Sequence, residues 1–466
     1  MRAFARANIN KEGQKMSLKS LFKLGKTHVP HHKNTAEMPA VRMPAPSEVL
    51  ISMSQNLGAP SVPCVKAGDK VCVGTLVATG GGYVGAPIYS SVSGTVKGIE
   101  SYLQSNGRRT DAIRIISDGE MTPDPAIAPP EITDIDSFSS AVRTAGIIGL
   151  GGAGFPTSVK LDAEKKGLIS KIVLNGAECE PYITSDTRTM IDDAHLVREG
   201  VELLLRFISA DELVIGIEAN KPECIAKMSE TFADMAKVRV ETLPDTYPQG
   251  GEKVLIYNTT GRVVPEGKLP SDVGCLVLNV TTVAEIARFA KTGMPLVEKC
   301  VTVDGSAVKT PMNVIVPIGA PISAVLDFVG GTTEDVGKVL YGGPMMGISV
   351  SSTDEPVLKN TNAITVLTRR DALNFKTTAC IHCGRCLVAC PMGLNPTAFA
   401  KAMNVPELAS RVERLNDAKI GLCIECGCCS FVCPAKRPLV QNNRLGKADA
   451  RAYAIAKQNE EKGENK

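Results

Sequence analysis

The sequence predicts a multidomain α+β chain, and three observations lead to this prediction. Its 466 residues exceed what one hydrophobic core usually organises, so three to four units are expected. Short alternating apolar runs with Gly and Ser turns at 46–118 and 298–350 are typical of small β units, whereas strand-like and helical patterns alternate over 136–297, as in an α/β layer. Most of the 15 cysteines form two equally spaced runs near the C-terminus, which indicates a separate cysteine-ligated unit.

Composition narrows the class of protein. Hydrophobic residues make up 44% of the chain and charged residues 22%, which is ordinary for a soluble globular protein. Aromatic residues are scarce (4%), Trp is absent and the net charge is +3, so a nucleic-acid partner is disfavoured. The chain has no run of eighteen apolar residues, so no membrane-spanning helix is predicted.

The N-terminal region, residues 1–45, is interpreted as an extension. Its first part, Met1–Lys26, is basic but lacks the apolar segment of a secretory signal. We expect Met16 to be the true start and residues 1–15 to be disordered or an annotation extension. Because no export signal is recognised, metal ligation in a reducing compartment is favoured over disulfide bonding for the cysteines.

Residues 46–118 predict hairpins in a small all-β unit, and the pattern resembles the biotinyl/lipoyl-like β sandwich. That family attaches its cofactor to a lysine at a hairpin tip, but the matching tip, Gly80–Ala86, has no lysine. A docking or structural role is therefore favoured over a swinging arm. The Pro-rich stretch 119–135 predicts a stiff linker.

The α/β region, 136–297, has buried-strand candidates at 171–174, 213–217 and 275–278 and helix candidates at 193–207 and 283–290. A small mixed β unit is predicted at 298–350, followed by a looser linker at 351–375. The cysteine region occupies 376–440. A basic helix beginning at Leu439 and ending at Lys457 is expected next, and the rest of 441–466 is expected to be a disordered charged tail.

The two cysteine runs share the spacing C-x2-C-x2-C-x3-C-P, which is typical of ferredoxins that hold two [4Fe–4S] clusters. Three cysteines of a run ligate one cluster, and the fourth reaches the other cluster. One ligand set is therefore predicted to be Cys380, Cys383, Cys386 and Cys433. The other is predicted to be Cys423, Cys426, Cys429 and Cys390. Zinc sites favour paired C-x2-C arms, so zinc is the weaker alternative, and Cys428 is out of register and is predicted not to be a ligand.

A glycine loop at residues 149–154 satisfies G-x-G-x-x-G. The dinucleotide form of this motif needs a preceding strand and a later acidic residue, but the preceding apolar stretch is short and Asn175 ends the next strand. The turn continues into Phe155-Pro156-Thr157, with Lys160 one turn further. Exposed N–H groups and a lysine suit a phosphate, and a purely structural tight turn is the alternative.

Four short segments and the β unit that follows them together make the chain recognisable. Residues 149–160 resemble the flavin-binding loop of the NADH-oxidising subunit of respiratory complex I. Residues 175–181, 247–253 and 278–282 resemble its second flavin segment, its nucleotide segment and its third flavin segment, and 298–350 resemble its β-grasp, SLBB-like module. With the N-terminal sandwich and the C-terminal helical ferredoxin-type dicluster domain, the chain resembles the RnfC family, one of the subunit families of the Rnf electron transport complex.

This resemblance implies a peripheral, cytoplasmic-side subunit of a membrane ferredoxin:NAD⁺ oxidoreductase that moves Na⁺ or H⁺. It implies electron exchange between NAD(H), FMN and two [4Fe–4S] clusters, with membrane subunits and a ferredoxin-accepting subunit as partners. No side chain is required as a catalytic acid or base. A soluble NADH-dependent adaptor that feeds a reductase or a cobalamin system is the alternative.

The resemblance also implies site residues in an α/β flavin- and NADH-binding core. The FMN cradle would comprise Gly149, Gly151, Gly152, Gly154 and Lys160. Further FMN contacts would come from Asn175, Glu178, Asn279 and Thr282. The nicotinamide-nucleotide candidates are Phe155, Glu180, Glu252 and Lys253. Two departures are Ala177, where the complex I family has an acid, and Lys253, where it has a second Glu.

Weaker signals leave alternatives open. A metal site at His28, His31 and His32 is conceivable, but packing or solvation is favoured. Cys179 could face the flavin ring, although a small buried hydrophobe is favoured. The remaining cysteines are predicted to be core residues: Cys64, Cys72, Cys224, Cys275 and Cys300. The cations Arg444, Lys447 and Arg451 could dock an acidic partner or a membrane surface, and a solvated face is the default.

Overall fold

Two antiparallel sheets form the N-terminal unit of the computed structural model, which describes residues 27–373 and 375–464. The predictions about Met16 and residues 1–15 lie outside the described residues. The strands of these two sheets are β2 (Glu48–Ser52), β3 (Val62–Pro63), β4 (Lys70–Val71), β5 (Leu76–Thr79), β6 (Ile88–Tyr89), β7 (Gly94–Leu103) and β8 (Arg109–Ser117). The strand that precedes them, β1 (Val41–Arg42), belongs to a different sheet that is described below. One sheet has the order β2-β8-β7-β4 and the other β3-β5-β6. Alternate residues such as Ile51, Val77 and Ile113 point between the sheets and are fully buried, as expected for a sandwich.

The stretch after this unit runs without regular secondary structure, but it is packed on the body of the protein. The Val73 N–H donates to the Thr122 carbonyl, and the Asp124 N–H donates to the Val73 carbonyl (both 2.9 Å). A Cβ atom at Gly293 would lie 2.0 Å from the Ala128 carbonyl oxygen, so the main chains touch there. The predicted linker is therefore held in place on the adjoining units.

A parallel sheet with helices on its faces forms the central unit. Its elements are α1 (Ile135–Thr144), α2 (Thr157–Leu161), β9 (Lys171–Asn175), α3 (Ser185–Asp192), α4 (Ala194–Phe207), β10 (Glu212–Glu218), α5 (Pro222–Thr231), β11 (Val238–Leu243), α6 (Glu252–Thr260), β12 (Cys275–Asn279) and α7 (Val280–Thr292). The strand order is β11-β10-β9-β12, and every pair is parallel. The strands β9, β10 and β12 are buried on both faces, which is why they are continuous apolar runs in the sequence.

A mixed six-stranded sheet follows. Its elements are β13 (Glu298–Asp304), β14 (Met312–Pro317), α8 (Ile322–Phe328), β15 (Val336–Tyr341), β16 (Ile348–Ser349) and β17 (Ala363–Thr368). The strand order is β1-β14-β13-β17-β15-β16. Its core is a separate apolar cluster that includes Val301, Val314, Ile364 and Val366.

Two predictions about which segments contribute strands to this sheet are wrong. The linker predicted at 351–375 contains β17, which lies inside the sheet between β13 and β15. The N-terminal extension contributes β1, which pairs in parallel with β14. Turn-like residues on both sides of the β17 run obscured it, and β1 is only two residues long. Both runs become strands because they pair with strands that are distant in the sequence, and their own residues give no clear strand signal.

Short helices and loops make up the C-terminal unit. The helices are α9 (Arg385–Val388), α10 (Pro396–Ala402), α11 (Leu408–Asp417), α12 (Cys428–Phe431) and α13 (Leu439–Glu464). Helix α13 packs its first turns on α10 and α11 and then continues past Lys457. The predicted disordered tail is therefore wrong up to Glu464, because Gln, Glu and Lys are good helix formers that extend an anchored helix. Among the described helices, none has the length and apolarity needed to cross a bilayer.

Candidate functional site

The neighbouring strands β9 and β12 end side by side in Asn175 and Asn279, which are paired in register. The chain passes from β9 outward to β10 and β11 and then returns to the opposite side of β9 at β12. Such a reversal of strand order opens a crevice at the carboxyl edge of a parallel sheet, where ligands of open α/β folds bind. The structure therefore places two predicted FMN residues at the topological switch point.

Both asparagines organise the loops around this crevice. The Asn175 amide donates to the Gly250 carbonyl (3.0 Å), and its side-chain oxygen accepts from the Ala177 N–H (3.2 Å). The Asn279 side-chain oxygen accepts from the Thr282 N–H (3.2 Å), so it caps helix α7. The three segments 175–181, 247–253 and 278–282 thus meet at one edge of the sheet.

The glycine loop folds back on itself over this edge. The Gly149 N–H donates to the Phe155 carbonyl (2.8 Å), and the Gly154 N–H donates to the Gly149 carbonyl (3.2 Å). A Cβ atom at Gly151 would lie 3.0 Å from the Asn279 amide nitrogen, so glycine allows the close approach. Gly152 has a φ of +142° and open space around it. The tip of the loop is exposed, as a ligand cradle requires.

Two side chains behind the loop hold its backbone. The Leu150 N–H donates to the Thr282 hydroxyl (3.0 Å), and the buried Lys299 ammonium donates to the Leu150 carbonyl (2.7 Å). Burial lowers the pKa of Lys299 to about 8. No local pattern in the sequence marks Lys299, which is 149 residues away from the loop.

The residues at the loop fit a phosphorylated flavin. The Thr157 hydroxyl is buried and has no hydrogen-bond partner among the described residues, so a ligand oxygen would satisfy it. The Lys160 ammonium contacts Glu252 (3.0 Å) and the Val277 carbonyl (3.0 Å), which joins the loop to the nucleotide segment. Lys253 instead donates to the Pro265 carbonyl (3.4 Å). The fold thus brings the predicted site residues Lys160 and Glu252 together, whereas the Lys253 ammonium is bonded to a backbone carbonyl instead.

The second flavin segment, residues 175–181, is held by hydrogen bonds from the start of helix α3. The Glu178 carboxylate accepts from the Asp186 N–H (2.6 Å) and from the N–H and hydroxyl of Thr187 (3.2 and 2.6 Å) at the start of α3. Burial raises the pKa of Glu178, and the nearby Lys33 opposes this shift. Its carboxylate is already engaged by protein donors, so a direct flavin contact by Glu178 stays a prediction.

Glu180 joins three parts of the molecule. Its carboxylate accepts from the Tyr247 hydroxyl (3.1 Å) and from the Met345 N–H (3.1 Å). Burial raises its pKa. The neighbouring Cys179 thiol accepts from the Gly250 N–H (3.4 Å), and burial raises its pKa to about 12. Cys179 is thus a partly buried thiol against the nucleotide segment.

A segment of the predicted N-terminal extension, residues 27–36, wraps this region and is called the strap. The Lys33 ammonium donates to the carbonyls of Glu178 (2.7 Å), Glu180 (2.8 Å) and Ile183 (2.6 Å). The His32 ring stacks on Tyr182 with a centroid distance of 4.9 Å. A second histidine of the strap, His31, lies 3.0 Å from the Asn220 amide, so these two rings pack rather than converge.

The eight predicted cluster cysteines line two cavities. One, called the proximal cavity, is lined by Cys390, Cys423, Cys426 and Cys429. The other, called the distal cavity, is lined by Cys380, Cys383, Cys386 and Cys433. In each cavity the fourth cysteine comes from the opposite run, which is the crossed arrangement of a dicluster fold.

The cavities suit a multinuclear group better than a single ion. Within 27–373 and 375–464, no three His, Cys, Asp or Glu side chains are arranged to hold one metal ion. Four cysteines drawn from two crossed runs are instead the ligand set of an iron–sulfur cluster. Cys428 also borders the proximal cavity, but its thiol is directed at the Tyr247 carbonyl (3.9 Å).

The proximal cavity has polar support that the sequence did not reveal. The Asn443 amide donates to the Cys423 sulfur (3.4 Å), and the Leu394 N–H donates to the Cys390 sulfur (3.3 Å). Lys447 donates to the Cys423 carbonyl (3.0 Å) and pairs with Glu425 (2.6 Å). Arg444 also pairs with Glu425 (3.5 Å), whereas Arg451 is exposed. Two of the three cations predicted as a docking face are therefore used internally.

The proximal cavity lies against the flavin region. A Cβ atom at Gly251 would lie 3.1 Å from the Ile424 side chain, and one at Gly427 would lie 2.6 Å from the Met345 carbonyl. Val29 of the strap packs in one apolar cluster with Tyr247 and Cys426. The proximal cavity thus lies against the nucleotide segment and the strap, while Cys383, which lines the distal cavity, is exposed.

Comparison with known families matches four consecutive parts of the chain. Residues 22–120 match the RnfC barrel sandwich hybrid domain, and residues 142–288 match the Nuo51 FMN-binding domain. Residues 300–349 match the SLBB domain, and residues 376–437 match the 4Fe-4S dicluster domain. The predicted fold class is confirmed, as are FMN and two [4Fe–4S] clusters as cofactors.

Curated relatives match most of the chain. The C subunit of the Na⁺-translocating ferredoxin:NAD⁺ oxidoreductase complex of Acetobacterium woodii is 42% identical over 81% of this chain and 86% of that protein. The C subunit of the proton-translocating complex of Clostridium ljungdahlii is 40% identical over 79% and 81%. The C subunit of the ion-translocating oxidoreductase complex of Rhodobacter capsulatus is 34% identical over 87% and 78%. The chain therefore belongs to the RnfC family of electron transport complex subunits.

Proposed function

We propose that this chain is the subunit of a ferredoxin:NAD⁺ oxidoreductase complex that exchanges electrons between NAD(H), FMN and two [4Fe–4S] clusters. The observation that supports this most directly is the packing of the proximal cavity on the nucleotide segment, through Ile424 on Gly251 and Cys428 on Tyr247. Hydride chemistry at one end and one-electron centres at the other then lie in a single packed body.

Bound FMN would supply the conversion between a two-electron hydride and single electrons. The chain supplies position and electrostatics. The glycine loop and Thr157 would bind the phosphate, while Asn175, Asn279 and Thr282 hold the three flavin segments in register. Lys160 fixes Glu252 near the loop, so we assign Phe155, Glu180, Glu252 and Lys253 to the nicotinamide nucleotide.

The membrane function is proposed from the relatives. Their names describe subunits of Na⁺-, proton- and ion-translocating complexes. By analogy, this chain would be a peripheral subunit on the cytoplasmic side, held by membrane subunits and by a ferredoxin-accepting subunit. Because these relatives belong to complexes, we do not favour the soluble adaptor. Co-purification with membranes from cells that contain the partner genes tests this part.

The flavin site is tested with Lys160→Ala, purified anaerobically. Loss of the ammonium removes a predicted phosphate contact and the Glu252 ion pair, so we expect reduced FMN content and a parallel loss of NADH–ferricyanide activity with iron content unchanged. The matched control is Lys166→Ala, an exposed lysine on the same surface segment. Full FMN content and full activity in Lys160→Ala would show that the loop is misassigned.

A further inference from the structure

The distal cavity opens on an exposed apolar surface, which we call the distal face. Ile381 and Leu387 line the cavity. Val388 follows Leu387 in the chain. The Phe375 ring lies under Lys436, whose two chain neighbours line the cavity. Ile381 is 65% exposed, Val388 is 78% exposed and Phe375 is 60% exposed. Large apolar side chains clustered in this way mark an interaction surface more often than a solvated one.

The distal face is also positively charged. Residues 375–406 and 430–448 contain no Asp or Glu. Arg385 and Arg437 line the distal cavity, Lys436 precedes Arg437 in the chain, and Lys376 follows Phe375. In the described part of the chain, none of the four forms an ion pair with a carboxylate. Lys436 instead lies over the Phe375 ring, 4.7 Å from its centroid, so charge and apolar surface are continuous.

The proximal cavity differs in both respects. None of its four predicted ligand cysteines is exposed, whereas one cysteine of the distal cavity, Cys383, is exposed. The nearby cations Arg444 and Lys447 both pair with Glu425, whereas the cations of the distal face have no carboxylate partner among the described residues. An exposed cluster ligand therefore lies at the distal cavity together with an apolar surface and with cations that have no carboxylate partner within 27–373 and 375–464.

We propose that the distal face is the docking surface for an acidic protein that carries a one-electron centre, such as an iron–sulfur protein. This inference rests on the proposed function, because it requires a cluster in the distal cavity. Complementary charge would steer the encounter, and the apolar centre would bring the two redox centres together in a small transient interface. In each encounter one electron passes from the reduced centre to the oxidised one, and no bond or proton is exchanged.

An acidic membrane surface is the competing partner for a basic apolar patch. A protein carrier is favoured because the exposed cluster ligand Cys383 lies at the rim of the patch, where only a redox partner would make use of it. A lipid surface would cover the cluster and block transfer. The two partners are separated by the experiment.

The test mixes the oxidised holoprotein with a reduced, acidic [4Fe–4S] ferredoxin and follows cluster reduction by stopped flow. The variant is Lys376→Glu/Lys436→Glu, which reverses two charges outside the cysteine runs. We expect the second-order rate constant to fall at least about tenfold at low salt, and the difference from wild type to shrink in about 1 M salt. The control Lys97→Glu/Lys166→Glu makes the same charge change at exposed lysines elsewhere and should leave the rate near wild type.

If the double variant loses iron, Lys376→Glu alone is used, and a drop of at least about threefold at low salt is expected. Equal rates for the distal-face variant and wild type would overturn the proposal. An equal fall of the rate constant in the control variant would also overturn it. Binding to phosphatidylserine vesicles is measured for the same variants, and a change in vesicle binding with no change in the rate constant would overturn it too. Because the electrons enter from ferredoxin, the assay does not depend on the flavin. Failure of the proposed flavin site would appear instead as absent NADH–ferricyanide activity in the wild type.

Discussion

Lys33 donates a 2.7 Å hydrogen bond to the backbone carbonyl of Glu178, although 145 residues separate the two in the chain. The same ammonium holds the carbonyls of Glu180 and Ile183, so one side chain shapes the second flavin segment. Glu178 and Tyr182 in this loop have positive φ values (47° and 70°), which are costly for residues other than glycine. The strap therefore supports a strained loop at the candidate FMN site.

We predict that Lys33→Met weakens FMN binding about tenfold or more. Three part-buried carbonyls would lose the Lys33 donor, at about 1–3 kcal/mol for each group left unsatisfied, and the loop would relax. FMN titration of the deflavinated protein measures the change. Lys33→Arg should recover part of the affinity, and the exposed Lys66→Met is the control. Wild-type affinity in Lys33→Met would contradict the supporting role.

The crossed ligand sets predict which cluster each fourth cysteine serves. Cys390 lines the proximal cavity with the second run, and Cys433 lines the distal cavity with the first run. Cys390→Ala should therefore damage the proximal cluster first, and Cys433→Ala the distal cluster. Electron paramagnetic resonance of each reduced variant, compared with Cys428→Ala as a non-ligand control, measures this. Loss of the cluster of the cysteine's own run would refute the crossing.

We predict that Asn443 raises the reduction potential of the proximal cluster. Its amide donates to the Cys423 sulfur at 3.4 Å, and such a bond stabilises the more negative, reduced cluster. Removing a bond of about 0.5–1.5 kcal/mol in Asn443→Leu should lower the potential by about 20–65 mV. A redox titration measures the shift, and the exposed Gln441→Leu is the control. An unchanged or higher potential in Asn443→Leu would contradict this assignment.

Lys359 predicts a pH-dependent free energy of unfolding. Its buried ammonium donates to the carbonyls of Pro87 (2.7 Å) and Gly146 (2.8 Å), and burial lowers its pKa to about 7. Between that pKa and the ordinary lysine pKa of 10.5, the unfolded chain binds more protons than the folded one. Stability contributed by this group therefore rises with pH, by up to about 1.4 kcal/mol per pH unit.

The measurement is the difference in unfolding free energy between wild type and Lys359→Met from pH 7 to pH 9. We expect the wild type to gain on the variant as the pH rises. Lys66→Met should show no such trend. A difference that is flat or that falls with pH would rule out the neutral buried lysine.

The sequence predicted those site residues that belong to a local motif, but not those that act on groups elsewhere in the chain. The cysteine spacing and the glycine loop are local patterns, so they identified the cavities and the cradle. Lys33 acts on a carbonyl 145 residues away, Lys299 on one 149 residues away and Asn443 on a sulfur 20 residues away, and none of the three belongs to a periodic pattern. The fold shows the same limit, because β1 and β17 acquire their partners only from the folded sheet.

The central claim, that electrons cross this chain between the clusters and a nicotinamide nucleotide through FMN, is tested by single-turnover oxidation. The holoprotein is reduced with dithionite, freed of excess reductant and mixed anaerobically with NAD⁺. We predict that the clusters and the flavin are oxidised while NADH forms, about two NADH per chain, one from the two cluster electrons and one from reduced FMN, and that FMN-depleted Lys160→Ala forms none until FMN is restored. Cluster oxidation without NADH, or equal NADH formation in the FMN-depleted protein, would contradict this claim.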